Sequence, residues 1–246
     1  MVENKKTKLF LHLKKWMEKA IIEYDMLEEG DRVLVAVSGG VDSLVLLDLL
    51  SSPMLFAPQK LSLLAVNINL GFDGSNGNYS LLERHFKKSG HKYIMKKTDI
   101  GPLAHSDYNK KNPCFLCSRL RRKGIFEIAD ETCCNKIAFA HHKDDIIETL
   151  LINIFYAREI STMMPNQSIF GGKLHVIRPL AYIREDLIKR YGTERQLPAI
   201  ENICPTSKVS RRMYIKKLLN EMEEENKDIR ENIFKAMSNV KMDYLL

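Results

Sequence analysis

The stretch RVLVAVSGGVDSLVLLDLL, residues 32–50, decides the fold. A β-branched apolar run leads into a glycine turn and then an apolar stretch, the order strand, turn, helix. In the turn SGGVDS, residues 38–43, the backbone N–H groups of Gly39, Gly40 and their neighbours are left unpaired at a helix N-terminus. Those donors and the helix dipole make a site for an anion such as phosphate. Glycine is required where a Cβ would block the backbone angles or the approach of the ligand. Ser38 and Ser43 add hydroxyl donors, but Asp42 is of the wrong sign. A carboxylate beside phosphates is repulsive unless a cation lies between them, so Asp42 reads as a Mg²⁺-linked residue. A plain strand-to-helix turn capped by Ser and Asp would use the same residue types. No Gly-Lys-Ser/Thr follows and there is no GxGxxG, which excludes the Walker A loop and the dinucleotide fingerprint.

The turn resembles the SGGxDS pyrophosphate loop (PP-loop) of the ATP pyrophosphatase superfamily. That resemblance implies activation of a carbonyl or carboxyl oxygen by adenylation, with release of pyrophosphate, and leaves the substrate undefined.

Working outward, helical periodicity covers 6–27, with Phe10, Leu13, Trp16, Met17, Ala20 and Ile21 on one face, and Gly30 ends it. LSLLAVNI (61–68) reads as a second buried strand, 71–78 as a flexible loop followed by a helix through Lys88, and 93–95 as a short strand. A basic-headed helix is expected over 117–132, a strand over 136–140 and a helix over 144–156. HVIRPL is a short extended segment, a helix begins at Glu185, and 211–239 is charged and helical in character. Alternating strands and helices predict an α/β fold, a doubly wound, mostly parallel sheet with helical N- and C-terminal extensions. Ligands of such sheets bind past the carboxyl ends of the strands. The turn at 38–43, the segment Asn67–Asn69 at the end of the second strand and the block at 141–145 all fall there.

The 246 residues suffice for one large α/β domain. Apolar content of 45% and charged content of 28% fit a globular protein. No apolar run reaches the roughly 20 residues needed to span a bilayer, and the basic start has no signal-peptide core, so a cytoplasmic protein away from membranes is expected. The net charge of +7 favours a polyanionic partner, although solvated lysines alone would give it. Five cysteines in a cytoplasmic chain point to metal, redox chemistry or burial rather than disulfides.

HHKDDIIET, residues 141–149, concentrates titratable groups at a strand-to-helix junction. Its carboxylates share a helix face and suit Mg²⁺ held together with substrate phosphates. Capping of the helix by Asp144 and Asp145 competes with that reading. His141 and His142 are adjacent and point apart, which disfavours a zinc pair. With the turn upstream, an ATP–Mg²⁺ role for His141 and Asp145 is favoured.

Cys114 and Cys117 form a C-x-x-C, and Cys204 stands far downstream. Three thiolates suit an iron–sulfur cluster with one open iron; a redox or persulfide-carrying dithiol and a zinc site remain equal alternatives. Cys133 and Cys134 are expected to be buried and inert. Arg119, Arg121, Arg122 and Lys123 follow the cysteine pair directly, and Arg211 and Arg212 follow Cys204. Both groups could clamp RNA phosphates, while a solvated helix face is the ordinary meaning of such runs.

The assembled blocks MLEEGDRVLVAVSGGVDSLVLLDLL, CFLCSRLRRKGIF, AHHKDDIIETLLINIFY and VIRPLAYIRE resemble the tRNA 2-thiocytidine synthetase family of PP-loop enzymes, from about Leu13 to the C-terminus. The resemblance implies an adenine nucleotide alpha hydrolase-like core at 31–200. An N-terminal helix (1–30) would pack on it, and a helical segment (201–246) would carry the third cysteine. It implies a [4Fe–4S] cluster on Cys114, Cys117 and Cys204, and ATP on Ser38, Gly39, Gly40, Asp42 and Ser43; Asn67, His141 and Asp145 join the ATP site by their place past the strand ends. Mg²⁺ would lie near Asp42 and Asp145, with Asp42 and the three cysteines as catalytic residues. The substrate would be tRNA, most simply an anticodon-loop cytidine activated at C2, and sulfur would come from a cysteine desulfurase or free sulfide. A homodimer stays open. Two departures stand out. Val41 takes the place of the lysine of SGGKDS in thiolating relatives, and Glu201 begins a block that in the family opens with a second C-x-x-C. The rivals are a lysidine synthetase-like ligase, a sulfur transferase acting on a uridine or small molecule, and a non-catalytic cluster-bearing RNA-binding protein.

Overall fold

The computed structural model describes residues 7–54, 58, 60–72, 75–109, 112–200, 204–205 and 211–244. A six-stranded sheet of order β3-β2-β1-β4-β6-β5 forms its centre. Its strands are β1 (Arg32–Ala36), β2 (Ser62–Asn69), β3 (Tyr93–Lys97), β4 (Lys136–Ala138), β5 (Asn166–Ile169) and β6 (Leu174–Ile177). All neighbours pair in parallel except β5, which runs antiparallel to β6 at the edge. The chain builds outward from β1 to β3 and then crosses back to β4, so the strand order reverses between β1 and β4. That crevice is where doubly wound sheets bind ligands.

Side chains alternate across β1 and feed two cores. Val33, Val35 and Val37 face α1 (Lys8–Glu23), α2 (Val41–Leu50) and α7 (Glu185–Glu194). Leu34 and Ala36 face Ile125, Ile128 and Ala129 of α5 (Pro113–Glu131). The face predicted for the first helix is the one it buries, although the helix is shorter than 6–27. Its buried Lys14 donates to the carbonyls of Leu49 and Ser52, satisfying the C-terminal end of α2. A third, small core joins Ile147 of α6 (Lys143–Ile152) to Ile215 and Leu219 of α8 (Arg211–Glu225), with Ile233 of α9 (Ile229–Ala236) beside them.

Several expected boundaries move for local reasons. The segment at 71–78 is not wholly a loop, because α3 (Ser75–Ser89) starts inside it. The basic helix α5 begins four residues early, since Pro113 fits the first helical turn, where its missing N–H costs nothing. The helix expected over 144–156 ends at Ile152 and continues as a wider turn over Asn153–Ala157. The charged terminal segment is two helices rather than one. A short helix, α4 (Ile100–Ala104), and the polar edge strand β5 carry no apolar periodicity and were not expected. Among the described residues, no helix is long and apolar enough to cross a membrane.

Candidate active site

The glycine turn closes on itself. The Ser43 hydroxyl accepts from the Ser38 N–H (3.1 Å) and donates to the Gly40 carbonyl (2.8 Å), while the Gly40 N–H donates to the Ser38 hydroxyl (3.2 Å). Gly39 has φ +94°, and a Cβ on it would lie 2.9 Å from Ile200 Cδ1. The Ile200 N–H donates to the Gly39 carbonyl at 2.9 Å, so the segment after α7 is tied to the turn. Behind the turn, buried Asn67 donates from Nδ2 to the Val37 carbonyl (2.8 Å). This places Asn67 as a support of the strand end on which the turn rests.

Asp42 lies in the first turn of α2, and its buried Oδ1 has no hydrogen-bond partner among the described residues. Burial pushes its carboxyl above the usual range, His142 opposes this, and the carboxylates of Asp145 and Glu185 add to it. A buried carboxylate oxygen among other acids, at the entrance to a phosphate-binding turn, has the chemistry of a cation ligand.

Asp145 is differently placed. Its Oδ2 accepts from the His142 N–H (3.1 Å), closing a capping box on α6, and its Oδ1 accepts from Arg212 Nη1 (2.6 Å). Arg212 also reaches Glu148 Oε2 (3.2 Å) and Thr149 Oγ1 (3.1 Å). Asp144 accepts from the Glu185 N–H (2.8 Å) and from buried Arg230 Nη1 (3.0 Å). The two aspartates thus join α6 to α7, α8 and α9. His141 and His142 do diverge. His142 caps α6, whereas the His141 ring tilts against Phe139 with its Nδ1 buried and unpartnered among the described residues. Burial pulls the His141 pKa down to about 4; Asp145 opposes this, and Arg178 and Arg212 reinforce it, so the ring is neutral at physiological pH.

A cavity of about 1010 Å³ opens in front of the turn, and Ser38, Gly40, Asn67 and His141 line it. Cys114, Cys117 and Cys204 line the same cavity. The first two stand one turn apart on α5, and burial, with Cys204 and Cys114 nearby, raises the Cys117 thiol while Arg121 opposes the shift. Among the described residues, no three His, Cys, Asp or Glu side chains converge as ligands of one ion. A cluster attaches each thiolate to a different iron and asks for no such convergence. Three thiols around one cavity fit a cluster held by three cysteines; His105 lines the same wall, with its Nε2 3.7 Å from Cys204 Sγ. Cys134 is buried as expected, but Cys133 is exposed, in the left-handed turn (φ +52°) that ends α5. Glu201 and the two residues after it lie outside the described residues.

The six basic residues proposed for RNA fall into three settings. Arg119 and Lys123 face solvent, and Lys123 is 3.7 Å from Glu127. Arg121 and Arg122 line the cavity. Arg211 covers the Tyr156 ring at 4.5 Å, and Arg212 is held by Asp145 and Glu148. Arg178, just past β6, is a further cavity cation that the sequence reading passed over. It is buried, donates to the Met164 carbonyl and leaves Nε without a partner among the described residues. Burial, with Arg122 adding, brings its pKa to about 10, so it remains charged. The signal was a lone arginine inside the apolar run HVIRPL. Val41 is half-buried against the core beside Gly192, turned toward α7.

A reversed strand order, a glycine turn at its switch point and orphaned polar atoms around it define a nucleotide-binding α/β protein of the PP-loop class. The profile of the PP-loop domain matches residues 7–223. A tRNA-cytidine(32) 2-sulfurtransferase of Geotalea uraniireducens (strain Rf4) is 36% identical over 242 residues, 97% of this chain and 95% of that protein. One of Yersinia pseudotuberculosis serotype IB (strain PB1/+) is 38% identical over 240 residues, 97% of this chain and 76% of that protein. The chain belongs to the PP-loop family and, within it, to the tRNA-cytidine(32) 2-sulfurtransferase family. Among solved structures, the U34-tRNA thiolase NcsA from Methanococcus maripaludis with its [4Fe-4S] cluster superposes with a TM-score of 0.77. At 21% identity over 97% of this chain and 80% of that one, the likeness is one of fold.

Proposed function

We propose that the chain is an ATP-dependent tRNA sulfurtransferase that replaces the C2 oxygen of an anticodon-loop cytidine, position 32 in its relatives' names, by sulfur. The observation that carries this is the single cavity lined by both the phosphate turn and Cys114, Cys117 and Cys204. Thiolation needs an activated oxygen and a sulfur source within reach of the same carbon.

The N–H groups of Gly39 and the start of α2 receive the ATP phosphates, that of Gly40 joins them only by giving up the Ser38 hydroxyl, and Asp42 holds Mg²⁺ between itself and them. Asp145 joins the ion only by giving up Arg212. The cytidine O2 attacks the α-phosphorus, forming an O–P bond while pyrophosphate leaves. A sulfur nucleophile then adds at C2, and the C–O bond breaks with AMP as leaving group. Arg178 and Arg122 place positive charge in the cavity where the phosphates develop and leave. His141, neutral and buried, takes no proton in either step at pH 7 and borders the base or nucleotide as a hydrogen-bonding group. Cys114, Cys117 and Cys204 hold the [4Fe–4S] cluster, which when bound supplies an iron able to carry inorganic sulfur. Arg119 and Lys123 on the outer face of α5 meet the RNA backbone. The donor is a cysteine desulfurase or free sulfide, and the reaction takes place in the cytoplasm.

The test is anaerobic purification with iron and sulfide analysis, followed by nucleoside mass spectrometry of tRNA incubated with ATP and sulfide. Brown protein and ATP-dependent 2-thiocytidine are expected. A colourless zinc protein that leaves tRNA unthiolated would overturn the proposal.

A further inference from the structure

The helix that begins at the nucleotide end of the site, α6, ends in an uncommon turn. Its ladder widens over Asn153–Ala157 and stops at Arg158, which is left-handed (φ 59°, ψ 38°). Wide turns of this kind recur at functional sites. The side chains this one presents are apolar: Ile154, Phe155, Tyr156 and Ile160 are all exposed. Apolar groups clustered on a surface mark a place that binds another molecule.

The turn is firmly held and stands at the cavity. Asn153 Nδ2 donates to the Ser161 carbonyl (2.9 Å) and hydroxyl (3.0 Å), and the Thr162 hydroxyl donates to the Ile146 carbonyl (2.6 Å). Thr149 before the turn and Thr162 and Met163 after it line the cavity, so the residues between them form part of its rim. The charge there is positive. Arg211 lies over the Tyr156 ring at 4.5 Å, Arg158 is exposed, and Glu159 is the only acid between 153 and 164. The nearby carboxylates of Asp145 and Glu148 are taken by Arg212. Aromatic rings among cations fit single-stranded RNA, whose bases offer π-faces and whose phosphates offer charge. A second copy of the chain fits worse, since a two-fold contact through this patch would bring the same arginines together.

We infer that Phe155 stacks on the nucleobase next to the target cytidine, and that Arg211, steadied on Tyr156, pairs with the adjoining phosphate. This rests on the reading of the chain as an enzyme that thiolates a cytidine in an RNA loop. A cytidine that enters the cavity leaves its own stack and uncovers a face of its neighbour. Phe155 at the rim covers that face, which offsets part of the cost of extrusion. Because the turn is fixed before RNA arrives, little ordering is lost on binding. Both residues position the RNA, and neither touches the reacting carbon.

The test uses the full-length protein and an anticodon stem–loop RNA carrying 5-iodouridine beside the target cytidine. Irradiation should cross-link that base to Phe155, as read by mass spectrometry of the peptides. Phe155→Ala should raise the Kd for the stem–loop about tenfold and leave its salt slope unchanged, whereas Phe155→Tyr should bind like wild type. Arg211→Gln should weaken binding and lower the log–log salt slope by about 1. In both variants the KM for ATP should stay that of wild type. A thiolating wild type whose Phe155→Ala variant binds RNA equally well overturns the stacking role alone. If that variant instead changes the sedimentation of the RNA-free protein while RNA affinity holds, the patch joins copies of the chain and the inference fails. Wild type that makes no 2-thiocytidine overturns the sulfurtransferase reading itself.

Discussion

The Cγ2 methyl of Val41 occupies the space that a Cβ on Gly192 would need. The residue in the place of the family's loop lysine is therefore a packing element between α2 and α7. Gly192→Ala should destabilise the protein by about 1–3 kcal/mol through overpacking. It should also raise the KM for ATP, because α2 carries the phosphate turn. Val41→Ala on that background should recover much of the stability. Denaturant melts of the two single variants and the double variant check this, and additive effects would refute the contact.

Arg212 and Arg119 should behave as different kinds of arginine. Arg212 is held by Asp145 and by buried Glu148, so Arg212→Ala should cost about 1–2 kcal/mol in unfolding and leave the salt dependence of tRNA binding nearly unchanged. Arg119→Ala should leave stability alone and reduce the log–log salt slope by about 1. Filter binding across a salt series, beside thermal melts, separates the two.

Asp42 has a buried, unpartnered oxygen and a raised carboxyl pKa. Removing its charge should therefore keep or improve the stability of the nucleotide-free protein. Asp42→Asn should nevertheless lower tRNA-dependent ATP–pyrophosphate exchange by about a hundredfold or more, the scale of losing a positioned metal ion. Wild-type exchange in the variant would remove Asp42 from the Mg²⁺ site.

His141 gives the unfolding free energy a defined pH window. Its folded pKa is about 4 against an ordinary 6.5, so between these values the unfolded chain binds the extra proton. The contribution is fully present above about pH 6.5 and falls away as the pH drops toward 4. His141→Gln should flatten the pH dependence of unfolding free energy across that window. An unchanged slope would show that the ring titrates alike in the folded and unfolded chain.

What could be read along the chain was what repeats along the chain. Strand β1, its glycine turn and α2 follow from a β-branched apolar run and two glycines, and the first helix was legible from its apolar face. The edge strand β5 was not, because NQSI pairs through its backbone and has little to bury. The candidate site divided in the same way. The C-x-x-C and the turn are local patterns. Arg212 beside Asp145 and His105 beside Cys204 are partners brought together only by the tertiary fold, and Arg178 gave no signal beyond one charge in an apolar run.

The hydrogen bond from Ile200 to Gly39 has a mechanical consequence. Cys204 lies four positions beyond Ile200, so even fully stretched backbone allows it a tether of about 14 Å from the phosphate turn. The sulfur-bearing end of the cavity hangs on a leash fastened to the nucleotide-bearing end. Incoming phosphates that shift the turn shift the point to which that tether is fastened, so the reach of Cys204 is set from the nucleotide-bearing end.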